Sequence, residues 1–465
     1  MREDWVEILY KDAVFKVSTV KHKLKQSEYL PKGAYRVVDQ GQSIIGGYTN
    51  SKESLLECNL PVIVFGDHTK KIKLIDFKFA PGADGTKVLE PKSGVDPKYI
   101  SLLTEILVFK IKDKGYARHY QHIEKQYLPL PSVPEQRVIV SKIETLFSDL
   151  DKGIADLNLA KEQLKVYRQA VLKKAFEGEL TREWREENNP TPSYDLLKKI
   201  SKERKINKPP KDSIYHKKIT HDFDFSKSES ISTWSVGTLD KLVYIAARIG
   251  WRGLKKSEYT DDGPLFLSVH SLNHGKYVDY SEAYHLSEER YLESPEIQLI
   301  EGDVLLCKDG AGIGKIGIVK NLNNKATVNS SILVIRGLEI LDQDFIYYLF
   351  SGPDLQSIVF ERITGSATPH LFQNDIRKFK LQIPPKEEQH QIVREIESRL
   401  SVCDKVEQNI TEALEKSEAL RQSILKKAFE GKLLSKAEID KCKQEADYEP
   451  ASVLLERIKK EKKKK

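Results

Sequence analysis

The sequence predicts an α+β chain: two β-rich globular segments and two long helices that repeat one another. Three observations carry this reading. The stretch Leu128–Leu180 recurs without a gap as Leu381–Leu433. Within each copy, apolar residues return at every seventh position. Ahead of each copy lie short β-branched and aromatic runs broken by turn residues.

The duplication is dense. Glu135 and Gln136 match Glu388 and Gln389, an offset of 253 residues, and the same offset relates Ile143-Glu144 to Ile396-Glu397 and Asp151 to Asp404. It also relates Arg168-Gln169 to Arg421-Gln422, and Leu172-Lys-Lys-Ala-Phe-Glu-Gly178 to Leu425–Gly431. The match continues more weakly, with Leu196, Leu197 and Ile200 recurring as Leu454, Leu455 and Ile458. Trp5 and Trp234 open the segments ahead of the two copies.

In the first copy Ile143, Leu150, Leu157, Leu164 and Val171 form one row, with Leu146, Ala160 and Tyr167 beside them. In the second, Ile396, Cys403, Ile410 and Ile424 form the matching row, flanked by Val406, Ala413 and Leu420. A sustained seven-residue repeat with Glu, Lys and Gln between is coiled-coil patterning. Pro134 before Glu135 suits a helix start, and Gly178 and Gly431 lie where a helix stops. Gly153 and Ser417 interrupt the seam. Each helix should run for about 44 residues, ~65 Å at 1.5 Å per residue. One exposed helix of that length is only marginally stable. The two are therefore expected to pair antiparallel about a pseudo-twofold axis, with a globule at each end.

Within the globules, Pro61–Gly66, Glu105–Ile111, Gly302–Cys307, Gly317–Val319 and Ser331–Ile335 read as strands, and Asp344–Phe350 as a short helix. A helix over Tyr194–Arg204 precedes a Pro-, Lys- and Ser-rich stretch. The expected plan is a globule at 1–134, a helical region at 135–205, a linker at 206–229, a second globule at 230–383 and a second helical region at 384–465. The last ends in the cationic tail Lys459–Lys465.

Composition narrows the function. Of 465 residues, 76 are Lys or Arg and 69 are Asp or Glu, a net charge of +7 that permits a polyanionic partner without demanding one. No apolar run approaches the ~18–20 residues that span a bilayer, and the N-terminus has no apolar signal core. The four cysteines, Cys58, Cys307, Cys403 and Cys442, are far apart and form no metal or disulfide pattern. A cytoplasmic, reduced protein without a membrane association is expected.

These features resemble the specificity subunit of type I restriction-modification enzymes. The resemblance rests on the duplicated Pro…Glu-Gln…Ile-Glu segment, the recurring Leu-Lys-Lys-Ala-Phe-Glu-Gly string and the two β-rich modules. It implies that the modules are target-recognition domains, each reading one half of a bipartite double-stranded DNA site. It implies that the helices set the spacer and dock two methyltransferase subunits, through which restriction subunits join. It further implies that this chain has no catalysis or cofactor of its own. S-adenosylmethionine, ATP and magnesium belong to partners in an assembly that methylates adenine and cleaves DNA. A reading from another class is a coiled-coil scaffold with two protein-binding globules.

Candidate DNA contacts follow by residue type. Lys308-Asp-Gly-Ala-Gly-Ile-Gly-Lys-Ile-Gly317 fails the phosphate-loop pattern, because Asp309 stands where its first glycine belongs and Ile316 follows the lysine. It reads as a Gly-rich hairpin, or as a backbone approach to DNA with Lys308 and Lys315 on phosphate. Arg248, Trp251, Arg252 and Lys255 form a cation–aromatic segment, either a DNA loop or a solvated turn. Ser366, Thr368 and His370 lie in a Gly-Ser loop before the last strand of the module, either a DNA loop or a structural turn. In the first module Lys21, Lys23 and Lys25, then His68 and Lys70, then Arg118 and Tyr120 hold the equivalent order. The histidines lack metal-ligand spacing. Pro91 interrupts a faint nuclease-like Asp84…Glu90-Pro-Lys92 pattern, and no Asn-Pro-Pro-Tyr or Asp-Pro-Pro-Tyr methyltransferase loop occurs. No catalytic or metal-binding residue is therefore expected.

Overall fold

The computed structural model describes residues 2–82, 85–111, 118–207, 210, 213–215, 224–240, 242–248, 254–364 and 370–461. The two copies of the repeat are helices of 44 residues each, Val133–Phe176 and Lys386–Phe429. Each ends two residues before a glycine in the left-handed region, Gly178 at φ 77° and Gly431 at φ 75°. Only glycine turns the chain out of a helix this way without strain.

The chain divides into two compact units, residues 1–158 with 410–465, and residues 159–409. Each unit thus takes half of both helices. Inside the first unit, Arg421 pairs with Asp151; inside the other, Arg168 pairs with Asp404 at 2.7 Å. Under the duplication Arg168 corresponds to Arg421 and Asp151 to Asp404, so this is one interaction made twice with the copies exchanged. The helix halves run antiparallel within each unit. In the first, Ile139, Val140 and Ile143 share a core with Ile424, Leu425 and Ala428; in the other, Leu172 and Ala175 share one with Ile392, Val393 and Ile396.

The expected seam is half realised. Ile143, Val171, Ile396, Cys403, Ile410 and Ile424 are buried, and Leu150, Leu157 and Leu164 are half-buried. The second row is only partly realised: Leu146, Ala160 and Ala413 are half-buried. Leu420, expected to pair, is 51% exposed, and Tyr167 and Val406 also face outward. Gly153 has no side chain, and a Cβ added there meets nothing within 4 Å. Ion pairs and the buried apolar row hold the helices along this stretch.

The two modules have one topology. The first unit holds a four-stranded antiparallel sheet in the order Val14–Val17, Thr86–Pro91, Val62–Gly66, Ile72–Ile75. Beside it are Gly47–Thr49, Tyr35–Val38 and Phe79–Pro81, the last two parallel. In the other unit the corresponding sheets run Tyr244–Ala247, Ile332–Arg336, Val304–Cys307, Ile316–Ile318, and Tyr284–Leu286, Tyr259–Leu267, Ala326–Val328, with the same parallel pair. The strands expected near residues 61–66, 302–307, 317–319 and 331–335 are present, as are helices Gln343–Ser351 and Ser193–Ile206.

Glu105–Ile111 is a correction. It is not a strand but largely the end of helix Pro97–Lys110. The Asp96 carboxylate accepts the Tyr99 N–H at 2.8 Å and Pro97 occupies the first turn. These start signals govern the segment, and its β-branched residues follow in helical register.

The duplicated Glu-Gln pair joins helix to module. Gln136 accepts the Asp96 N–H at 2.8 Å and donates to the carbonyls of Gly94 and Pro131, both at 3.0 Å. Gln389 does the same with Asp342 at 2.9 Å and with Ile340 and Pro384 at 3.0 Å. Asp96 and Asp342 each cap the next helix, so each glutamine sets where that helix begins. Glu388, fully buried, accepts from Thr181 Oγ1 at 2.8 Å, Arg185 Nε at 2.8 Å and Trp234 Nε1 at 2.7 Å. Glu135 receives Arg2 and, at 3.0 Å, Ser132 Oγ. The two tryptophans close the arrangement. A Cβ on Gly178 would lie 3.2 Å from the Trp234 ring, and one on Gly431 3.5 Å from the Trp5 ring. At Gly178 a Cβ would also crowd Ile231, whereas at Gly431 it would meet the indole at ordinary contact distance.

Two predictions follow from these contacts. E388A leaves three buried donors without their acceptor and should lower stability by about 3 kcal/mol, read as a lower thermal midpoint; an unchanged midpoint would contradict the keystone role. In the first unit, the Glu438 carboxyl is held down to about 2 by the Lys142 ammonium, and also by the backbone and hydroxyl of Ser435. Its stabilisation is complete above the ordinary carboxyl value and is lost as pH falls through about 2. Wild type should melt above E438Q at pH 6, and the gap should close as the pH is lowered through this window. A gap that stays constant to the acid end refutes the coupling.

Candidate nucleic-acid interface

In each module the C-terminal ends of four equivalent strands gather at one end, and the loops leaving them carry most of the sequence-derived cations. In the first module, Thr69 Oγ1 donates to the Gln40 carbonyl at 2.6 Å, joining the turn after Val62–Gly66 to the loop after Tyr35–Val38. Leu24 N–H donates to Pro81 O at 3.1 Å, bringing in the Lys21–Lys25 segment. Asp67, almost wholly buried, accepts the backbone N–H of His119 at 3.0 Å and, on its carboxylate, that of Tyr120 at 2.8 Å. Three separate basic segments therefore share one end. Lys21, Lys23, Lys25 and Arg118 are exposed there, His68 and Lys70 half-buried. Lys70 sits at φ 58°, an uncommon backbone for a residue with a Cβ.

Tyr120 is a correction. Its ring is in the core, 6.4 Å from Tyr10 and 6.1 Å from Phe65 between centroids, with the Lys16 ammonium 5.4 Å above it. Burial raises its phenol well above the ordinary value. Its backbone serves the interface through Asp67 while its side chain faces the sheet.

In the second module the Gly-rich segment is a hairpin between Val304–Cys307 and Ile316–Ile318, as expected. Gly310 and Gly314 adopt φ of 74° and 86° to turn it. A strand rather than a helix follows, so the helix N-terminus that a phosphate loop needs is missing. Lys315 is exposed and donates to Asn273 Oδ1 at 2.5 Å; Lys308 reaches Asp309 at 2.6 Å. His370 lies beside Asp309 through a β-bridge and through its ring Nδ1.

Arg248 is a further correction. It is 4% exposed and knits the module interior. Its Nε donates to Val328 O at 3.1 Å, another nitrogen reaches Thr327 Oγ1 at 3.3 Å, and its plane lies over Phe266 at 5.6 Å. The buried hydroxyl and carbonyl acceptors draw the guanidinium inward. Lys255 is exposed, and its N–H caps the turn Lys256–Glu258 through Glu258 at 2.7 Å. Lys25 caps Gln26–Glu28 through Glu28 at 2.6 Å in the same way, so the two lysines are structural equivalents. Trp251, Arg252, Ser366 and Thr368 lie outside the described residues.

Sequence reasoning passed over the tyrosines of the second module. Tyr259 and Tyr284 stack at 4.7 Å, and the Lys320 ammonium lies 4.6 Å over Tyr277. Tyr277 and Tyr284 are exposed. The Tyr-rich run Tyr277–Tyr284 was the available signal. Among the described residues no cluster of His, Cys, Asp or Glu is arranged to hold a metal, and no helix is long and apolar enough to cross a membrane.

Residues 231–416 match the family model described as the type I restriction modification DNA specificity domain. The chain is 27% identical over 339 residues to the type I restriction enzyme EcoBI specificity subunit of Escherichia coli, covering 73% of this chain and 65% of that one. It is 25% identical over 410 residues to the EcoDI specificity subunit of Escherichia coli, covering 86% of this chain and 84% of that one. Among solved structures, the fold is similar to a chain from a type I R-M system described for its complex assembly and conformational transition. That match has a TM-score of 0.64 at 15% identity and covers 93% of this chain and 99% of the other. The HsdS subunit from Thermoanaerobacter tengcongensis matches with a TM-score of 0.53 at 16% identity, covering 93% of this chain and 98% of that one.

Proposed function

We propose that this chain is a type I restriction-modification specificity subunit and selects a bipartite double-stranded DNA sequence with one module per half-site. The observation that carries the reading is the repetition itself. Two modules of one topology each gather basic loops at one end, and each is anchored by the same Glu-Gln pair to a duplicated helix. Cations there would hold phosphates and fix register, while the variable loops read base edges.

In this reading the helices act as the spacer between half-sites and as the seat of two methyltransferase subunits, with restriction subunits joining through those. The chain supplies recognition and no catalytic group. S-adenosylmethionine would be held by the methyltransferase subunits, which would turn an adenine out of the duplex. ATP and magnesium would serve the restriction subunits, and the whole would act in the cytoplasm. A scaffold with two protein-binding globules would show no DNA sequence preference.

Selection from random duplex DNA by the full chain with its methyltransferase subunits should return two short sequences at a fixed separation. Inserting one heptad into each long helix adds ~10 Å and should lengthen the preferred separation by about three base pairs at 3.4 Å each. Selection without a bipartite preference contradicts the recognition role; an unchanged separation contradicts the spacer.

A further inference from the structure

The two modules share a contact that their sequences do not announce. Asp67 directly follows the strand Val62–Gly66, and Asp309 stands two residues after the equivalent strand Val304–Cys307. Each opens the turn of a hairpin, toward Ile72–Ile75 and Ile316–Ile318 respectively. Each is met by a histidine from the segment returning toward the last strand of its module. In the first, His119 donates its N–H to Asp67 O at 3.0 Å and holds ring Nδ1 2.9 Å from the same oxygen. In the second, His370 forms a β-bridge with Asp309 and sets ring Nδ1 against the Asp309 carboxylate. The following amide, Leu371 N–H, donates to Lys308 O at 2.8 Å. In both modules Nδ1 is the nitrogen engaged, with the aspartate's backbone carbonyl in the first and its carboxylate in the second. A short helix then follows, Tyr120–Ile123 or Gln373–Arg377.

We propose that Asp67–His119 and Asp309–His370 are positioning clasps that lock the hairpin turn to the returning segment and so preset the end of each module that meets DNA. The proposal rests on the DNA-recognition reading above and deepens it. The joined elements carry His68, Lys70 and Arg118 in one module and Lys308 and Lys315 in the other. Loops rooted separately in a sheet sample many relative placements, and ordering them on binding costs affinity. A clasp at their roots removes that freedom before DNA arrives and holds the contacting groups in the narrow geometry that base reading requires. Ion pairing with a neighbouring lysine does not account for the recurrence. Asp309 reaches Lys308, the adjacent residue, whereas Asp67 faces Lys87 of another strand at 3.4 Å. Only the histidine is common to both.

His119 is buried, whereas the His370 side chain is 37% exposed, so the second module is the place to test the clasp. The full chain, assembled with its methyltransferase subunits, is used to select from random duplex DNA as wild type, H370L, H370N and D309A. An asparagine amide nitrogen occupies nearly the place of Nδ1 and can keep the bond; leucine cannot. H370L and D309A should blur the preference in one half of the site and weaken binding about tenfold, leave the other half unchanged, and be rescued in H370N. Wild-type selection and affinity in H370L overturn the clasp, as do equal losses in both halves or a failure of H370N to rescue. Thermal melting checks the fold. If H370L does not fold, D309A carries the comparison, and failure of both to fold overturns a local positioning role. A wild-type assembly that selects no bipartite site instead removes the DNA-recognition reading beneath the proposal.

Discussion

The structure depends on a buried carboxylate and a buried amide at the start of each long helix. Glu388 has no exposure, yet three donors from two different segments converge on it: Thr181 and Arg185 from one, Trp234 from the other. A carboxylate removed from water is tolerable only when its lone pairs are filled in this way. Those donors belong to the segment after the first helix and to the start of the second module. One side chain therefore ties the end of one helix, the beginning of another and the module between them. Gln389 beside it dictates where the next helix of the module begins. In the first copy Gln136 likewise fixes Asp96, while Glu135 is met by Arg2 and by the nearby Ser132.

The constraint explains why the repeat is strict where it is. Glu-Gln, the Arg–Asp pair and the helix-ending glycine recur at one offset because each unit is built from halves of both copies. A change in the Arg or the Asp of one copy alters a contact whose other side lies in the second copy. Glu144 and Glu397 extend the pattern, since each meets a module lysine, Lys98 and Lys276, at 2.6 Å. The module interiors carry no such demand beyond packing and topology.

The sequence disclosed the features that are local or periodic. Both long helices, their glycine stops, the apolar row from Ile143 to Val171 and four of five strands follow from spacing and turn chemistry. Features that depend on distant partners were not legible. Glu105–Ile111 has strand-like composition, but Asp96 and Pro97 had already begun a helix. Arg248 resembles a surface cation in its own segment; partners far along the chain, Thr327 and Val328 among them, turn it inward. Tyr120 is likewise claimed by Tyr10 and Phe65. Glu135 and Glu388 read as acidic residues at a helix start, and nothing adjacent reveals that both are buried. The Asp–His clasps join residues more than fifty positions apart and escaped notice for the same reason.

The central claim is that recognition divides between two exchangeable modules on one repeated frame. The most direct measurement replaces residues 230–383 with the corresponding module of the EcoDI subunit and selects DNA with the assembled complex. The account predicts that one half of the preferred site changes while the other half and the separation stay as they were. A folded assembly in which both halves change together, or in which neither does, would contradict it.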